Sequence, residues 1–228
     1  MPKYFVDETL QPDKEMIHHL TRVLRVRVGD EIILCDGMAT DYFCVVESLE
    51  PLNLKVVRNQ KSDTEPDKKI TLYQAIPKND KMEWIVQKAV ELGVHKVVPV
   101  ISEHSVKRAL NLPRLRKISK AAAEQSMRGI IPVVGEPMPW QQALQEALQE
   151  TSQESSKDGG FMIAAHEKAK RPLPTNLPEK AGLWIGPEGG FSDMEIAAME
   201  KAKFEIIGLG PRILRTETAA IAALAKII

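Results

Sequence analysis

The run Gly186-Pro187-Glu188-Gly189-Gly190 follows directly on the apolar stretch Leu183-Trp184-Ile185, and it constrains the fold more than any other part of the chain. It reads as a β-strand ending in a glycine-rich loop, with a helix to follow. A second loop of the same kind, Gly208-Leu209-Gly210-Pro211-Arg212, follows the apolar run Phe204-Glu205-Ile206-Ile207 about twenty residues later. Ligands of open α/β sheets sit outside the carboxyl ends of strands, so two such loops are expected to form two walls of one pocket. Glycine permits the left-handed backbone and the close approach that a Cβ would block. Either loop alone reads equally well as an ordinary strand-to-helix turn; the pair points to a binding site.

The first loop narrows the ligand. No Gly-Lys-Ser/Thr closes it as in a P-loop, and the G-x-G-x-x-G dinucleotide spacing is absent. Pro187 removes a backbone donor, and Glu188 places negative charge where a phosphate would want none. Ser192 and Glu195 form an S-x-x-E capping box, which occupies donors at the start of the next helix and competes with anion capture there. A neutral or cationic small ligand is expected rather than a nucleoside triphosphate.

The chain reads as two domains. Up to about residue 60, short β runs (Lys3–Val6, Glu31–Cys35, Asp41–Val46, Leu52–Val57) are separated by turn signals at Gly29-Asp30 and Asp36-Gly37. One helix, about Asp13 to Leu24, interrupts them, with Met16, Leu20, Val23 and Leu24 roughly on one face. This gives a small β-rich, barrel-like module over residues 1–65. The segment from Lys61 to Lys69 has no apolar residue and makes a linker.

From residue 70 to 228, strands alternate with helices, which argues a mainly parallel sheet flanked by helices. Expected strands are Ile70–Ile76, Val97–Ile101, Phe161–Ala165, Leu183–Ile185 and Phe204–Ile207. Pro99 assigns the second of these to an edge or irregular position. Expected helices are Lys81–Leu92, Pro113–Arg128, Trp140–Glu150 and Thr216–Ile228, and Thr151–Gly160 reads as a polar loop. Trp84, Trp140 and Trp184 are expected in the core.

The net charge is zero, but it is unevenly spread. Residues 1–70 carry 10 basic and 13 acidic side chains, residues 71–135 carry 11 and 5, and residues 136–228 carry 10 and 13. The middle excess lies around Lys107, Arg108, Arg114, Arg116, Lys117, Lys120 and Arg128. It reads as a polyanion footprint or as the solvated face of a helix. Cys35 and Cys44 are too few for a disulfide framework and are expected as buried thiols. The histidines lack zinc-ligand spacing, so no metal is expected. With no apolar run of membrane-spanning length and no signal-peptide layout, a cytoplasmic protein is expected.

Five blocks carry a resemblance to a known family. They are His19-Leu20-Thr21-Arg22-Val23-Leu24-Arg25, Glu91-Leu92-Gly93, Glu124-Gln125-Ser126-Met127-Arg128, Ile185-Gly186-Pro187-Glu188-Gly189-Gly190-Phe191, and Leu209-Gly210-Pro211-Arg212-Ile213-Leu214-Arg215-Thr216-Glu217-Thr218-Ala219. In this order, over nearly the whole length, the chain resembles the RsmE family of SPOUT-superfamily methyltransferases. These place a methyl group on N3 of a specific uridine in 16S ribosomal RNA.

The resemblance implies a PUA-like β-barrel followed by an α/β domain with a C-terminal trefoil knot, although threaded chains are rare among folds. It implies S-adenosylmethionine (SAM) as methyl donor, a homodimer, and 16S rRNA in the small ribosomal subunit as partner. SAM is then expected on Ile185, Gly186, Pro187, Glu188, Gly189 and Gly190 of the first loop and on Leu209, Gly210, Arg212, Ile213 and Leu214 of the second. Arg22, Arg25, Arg27, Lys107, Arg108 and Arg215 are candidates for touching RNA. Arg128 is the candidate for steadying a uracil anion and Glu124 for orienting it or taking its proton, with Arg128 supplied by the partner subunit. The local alternative is a structural Glu124–Arg128 pair at i,i+4. The apolar helix from Thr216 is the expected dimer surface. Two other readings stay open: an RNA-binding protein without catalysis, and an enzyme acting on a free nucleotide.

Overall fold

The computed structural model describes residues 1–106, 109–152 and 161–228. The chain forms two compact units, one of Met1–Glu65 with Lys120–Ile131, the other of Pro66–Ser119 with Pro132–Ile228. The smaller unit is thus not a contiguous N-terminal stretch. Residues 120–131 belong to it because their backbone completes its hydrogen bonding. Ala39 N–H and the Cys35 thiol both donate to Gly129 O, at 3.0 and 3.3 Å, and Lys3 Nζ donates to Met127 O at 3.2 Å.

The smaller unit is built on β1 (Lys3–Phe5), β2 (Glu31–Cys35), β3 (Thr40–Leu49) and β4 (Leu52–Lys61), in the order β1-β2-β3-β4. The β1–β2 pair is parallel and the other two are antiparallel. The described pairings make an open path rather than a closed barrel. Tyr4, Leu20, Ile32, Leu34, Cys44 and Val46 form the core. Both cysteines are free and buried, and burial pushes the Cys35 thiol up to about 11.

The expected single helix before β2 is in fact two pieces. Asp13 caps α1 (Lys14–His18), its Oδ1 accepting from Met16 N at 2.7 Å. The chain then widens into a π-helical turn, His19–Leu24, that ends at Arg25 in the left-handed region. A wider turn shifts the phase of every later side chain. Leu20 stays in the core, whereas Val23 and Leu24, expected on the same face, are exposed.

The larger unit is a parallel sheet of β5 (Lys69–Ala75), β6 (Lys96–Ile101), β7 (Val133–Val134), β8 (Met138–Pro139), β9 (Phe161–Ala165), β10 (Lys180–Ile185) and β11 (Glu205–Ile207). The order is β11-β9-β10-β5-β6-β7, with β8 also pairing β6. Its helices are α2 (Lys81–Glu91), the first part of α3 (Leu112–Gln125, whose residues from Lys120 onward belong to the smaller unit), α4 (Trp140–Ser152), α5 (Asp193–Lys201) and α6 (Thr216–Ile227). Pro99 does not mark an edge. The outer side of β6 is met in two pieces, β7 opposite Lys96–Val97 and β8 opposite Val100–Ile101, and Pro99 falls between them. The ladder therefore loses little from its missing N–H. The expected polar loop falls partly in α4; residues 153–160 lie outside the described residues.

Alternation along the strands sorts the two faces. Tyr73, Ala75, Val98, Val100 and Trp184 face a core shared with Trp140, Ala143 and Met199 of α4 and α5. Trp184 is 0 % exposed, stacked on Tyr73 at 4.4 Å and edge-on to Phe204 at 5.7 Å. Burying an aromatic of this size removes roughly 150–250 Å² from water, about 4–6 kcal/mol at ~25 cal/mol per Å². That outweighs the ~1–3 kcal/mol cost of an indole N–H with no partner among the described residues. Trp140 is also buried, but Trp84, expected in the core, is 44 % exposed on α2.

On the other face α6 packs against α2 and β10. Ala219, Ala220, Ala223, Leu224 and Ile227 are thereby buried within the chain itself. Ile221, also on the face expected to join two subunits, is only partly buried.

Candidate functional site

The carboxyl ends of β6, β9, β10 and β11 surround a cavity of about 730 Å³, within the range of roughly 300–1,000 Å³ typical of small-molecule sites. Residues 185–194 and 209–216 form two of its walls; residues 165–168 and the pair Glu103 and His104 form the others. All eleven residues expected from the two loops to hold a cofactor, from Ile185 to Gly190 and at 209, 210, 212, 213 and 214, line this one cavity. Arg215 lines it too. The walls from β6 and β9 carry no glycine signature. Their only sequence signal was polar residues (Ser102-Glu103-His104-Ser105, His166-Glu167-Lys168) just past apolar runs.

The glycines divide by role. Gly190 and Gly210 have φ of +70° and +118°, and a Cβ on either would meet nothing within 4 Å. These two keep space open along the cavity in backbone conformations that L-residues rarely adopt. Gly186 serves the loop itself, since its Cβ would stand 3.0 Å from Gly190 C and Phe191 N. Gly189 serves a neighbour rather than a ligand, because its Cβ would press against the His104 side chain at 3.2 Å.

The first loop is fixed from behind. Thr216, the first residue of α6, donates its hydroxyl to Gly186 O at 2.6 Å and accepts from Gln74 Nε2 at 2.9 Å. The Glu188 carboxylate accepts from Lys78 N–H at 3.2 Å and from Lys81 Nζ at 3.0 Å, and Lys81 also pairs with Glu217 at 3.2 Å. Burial raises the Glu188 carboxyl, but the Lys81 hydrogen bond and backbone donors outweigh it and hold the group below the ordinary glutamate range. The charge expected to repel a phosphate is thus matched by Lys81.

The capping box is complete. Ser192 Oγ accepts from Glu195 N at 3.3 Å, and Glu195 Oε2 accepts from Ser192 N at 2.9 Å. Glu195 Oε1 accepts from Glu103 N at 3.0 Å, which ties the end of β6 to the start of α5. His104 Nδ1 lies 3.1 Å from both Gly189 O and Gly190 O.

The two candidate catalytic residues belong to the smaller unit. Arg128 is 4 % exposed and forms an ion pair with Glu65. Its Nε and a terminal nitrogen donate to the two oxygens of Glu65 at 3.2 and 2.5 Å, and Glu65 Oε1 also accepts from Gly129 N and Ile130 N. Burial raises the Glu65 carboxyl, but Arg128 and these backbone donors hold it below its ordinary value. The guanidinium is therefore engaged by Glu65 within the smaller unit. Glu124 accepts from Phe5 N at 3.0 Å, and its carboxyl is raised, chiefly by burial.

Of the RNA candidates, Arg22, Arg25 and Arg27 are exposed around the π-helical turn. Lys107 and Arg108 lie outside the described residues. The rest of the basic excess is largely matched: Arg114 pairs with Glu83 at 2.6 Å, Arg116 with Glu136 at 2.9 Å, and Lys120 lies 3.8 Å from Glu124. A solvated, ion-paired helix face accounts for it.

Comparison with known proteins adds an independent line. A family model described as an RNA methyltransferase domain matches residues 64–228, and one described as an RNA methyltransferase PUA domain matches residues 12–57. Ribosomal RNA small subunit methyltransferase E of Bacillus subtilis is 34 % identical, covering 100 % of this chain and 96 % of the relative. The protein of that name from Mesomycoplasma hyopneumoniae is 33 % identical, covering 100 % and 99 %. The structure of the Neisseria gonorrhoeae protein bound to S-adenosyl methionine superposes with a TM-score of 0.87 at 32 % identity, covering 99 % of this chain and 95 % of that one. A Legionella pneumophila structure in complex with SAM gives 0.81 at 30 % identity, covering 98 % and 95 %. Matches at this identity over the whole of both partners leave one assignment: the chain belongs to the ribosomal RNA small subunit methyltransferase E family.

Proposed function

We propose that this protein is a SAM-dependent methyltransferase that modifies N3 of a uridine in 16S ribosomal RNA. The observation that carries the reading is the cavity with open space at Gly190 and Gly210 beside a helix start already closed by its own capping box. That combination fits a ligand with adenosine and amino-acid parts and no phosphate. SAM supplies a methyl group made electrophilic by its sulfonium. The backbone of the two loops holds and orients it, and exposed Arg212 and Arg215 supply positive charge for its carboxylate and for the uracil oxygens. Arg215 takes over the role expected of Arg128. Holding both reactants in line removes much of the barrier, and a stacked uridine must turn out of the RNA to enter.

Several features support the finer parts of the reading. Gly208 N–H donates to Arg171 O at 2.8 Å, and a Cβ on Gly208 would run into Ala169 O. The start of the second glycine loop therefore runs closely past residues 169–172, a close approach that supports the trefoil-knot reading. Met194 and Ile213, 81 % and 82 % exposed on the cavity wall, are apolar side chains that a second copy would cover. A homodimer is the expected mass in sedimentation equilibrium at micromolar concentration; a monomer there rejects it. Its place of action is the cytoplasm, on the small ribosomal subunit.

RNA is held by the smaller unit through Arg22, Arg25 and Arg27. Arg22→Ala and Arg25→Ala should each weaken RNA binding and flatten its salt dependence, by roughly one unit of slope for every phosphate the variant no longer neutralises. SAM affinity should not change. Unaltered RNA binding across a salt titration would move the interface elsewhere.

The function is tested by label transfer from methyl-tritiated SAM to small subunits and to deproteinised 16S rRNA, followed by digestion to nucleosides. Labelled 3-methyluridine is the expected product. Label in another nucleoside, or in neither RNA form, overturns the reading.

A further inference from the structure

The geometry points to His104 as the group that takes the proton from uridine N3, through its Nε2. This rests on the reading of the reaction given above. It offers an acceptor on the cavity wall itself, whereas Glu124 belongs to the smaller unit.

His104 Nδ1 lies 3.1 Å from Gly189 O and 3.1 Å from Gly190 O, and both oxygens are backbone carbonyls. Carbonyl oxygens only accept, so Nδ1 must be the donor. In the neutral ring only one nitrogen carries a proton. Nε2 is therefore left with its lone pair, and the tautomer is set by the glycine loop itself. The ring is exposed and lines the cavity, so this lone pair is accessible. His166 lines the same cavity, but among the described residues no hydrogen bond fixes its ring.

A Cβ on Gly189 would stand 3.2 Å from the His104 Cβ and 3.4 Å from its Cγ, so the bare glycine leaves room for this side chain. The ring is held from the backbone of one cofactor wall, and among the described residues no hydrogen bond engages its other edge.

In the transfer the N3–H bond breaks, its proton forms the Nε2–H bond, and the electron pair stays on N3. That pair makes the N–C bond to the methyl carbon as the C–S pair passes to sulfur, leaving S-adenosylhomocysteine. The imidazolium returns its proton to water. General-base catalysis of this kind contributes about 10²–10⁴-fold.

His104→Asn separates the base from the anchor, because the asparagine amide can still donate to the two carbonyls but has no Nε2. Single-turnover methyl transfer should fall by ~100-fold or more, with SAM affinity by calorimetry within about 3-fold of wild type. A wild-type single-turnover rate in this variant, or a comparable loss only in His166→Asn, overturns the proposal. An independent measurement needs no variant to turn over. In ¹⁵N-histidine spectra of the wild-type protein, the neutral His104 ring should carry its proton on Nδ1. A ring protonated on Nε2 overturns the proposal whatever the variants do. Digestion of the wild-type product keeps the two readings apart: methyl at a position other than N3 defeats the reaction on which this rests. Methyl on N3 together with a fully active His104→Asn defeats the base alone.

Discussion

Gly190→Val should lower SAM affinity by at least about 100-fold, some 2.7 kcal/mol, while the protein remains folded. At φ +70° an L-residue strains the backbone by about 1–2 kcal/mol, and a β-branched side chain sits among the worst cases. No protein atom lies within 4 Å of the new Cβ, and Gly190 lines the cavity, so the added methyl groups meet open space at the cofactor wall instead of a packed core. Gly29→Val is the control for strain alone. Gly29 has φ +94°, also with nothing within 4 Å, and belongs to the smaller unit. It should lose comparable stability by denaturant titration and keep its SAM affinity. Calorimetry that returned wild-type affinity for Gly190→Val would remove this loop from the cofactor site.

Glu65→Gln should destabilise the smaller unit by about 3 kcal/mol, near the low end for breaking a buried ion pair. The carboxylate accepts four hydrogen bonds, two of them from a guanidinium that is 4 % exposed. An amide replaces one of its oxygens with an NH2 that can only point donors at donors. The pH dependence gives a second readout. A carboxyl held below its ordinary value contributes stability that is complete above the unfolded glutamate range and is lost as pH falls through the lower folded value. The wild type should therefore approach the variant in stability as the solution becomes acidic. Equal stability at neutral pH would show that this pair holds nothing together.

Local sequence reveals the first of these sites and hides the second. The glycine loops were legible because a strand followed by closely spaced glycines has few other uses, and their joining into one cavity follows from parallel strands ending on one side. The His104 wall was not legible: a histidine after an apolar run has no periodicity that distinguishes it from a turn residue, and its carbonyl partners lie 85 and 86 residues away. Arg128 shows the same limit. Spacing offered Glu124 four residues before it, while the actual partner is 63 residues earlier. The π-helical turn escaped because its apolar spacing matches an α-helix until Leu20, and the extra residue per turn shows only in which side chains are then exposed. Pro99 was legible as an irregular position: the ladder beside it is broken between Val97 and Val100.

Because the smaller unit takes in Lys120–Ile131, its four strands leave the ribosome well before the segment that closes it. At roughly 5–20 residues per second, the 63 residues between Glu65 and Arg128 take about 3–13 s to make. In the nascent sheet, as in the finished unit, β4 is a long edge strand, exposed over most of its length. Unprotected edges of this kind pair with whatever strand is nearby, and charged side chains are the usual safeguard. Lys55, Arg58 and Lys61 stand along this one. Neighbouring copies on a polysome meet mutual repulsion there while the sheet waits for its remaining residues.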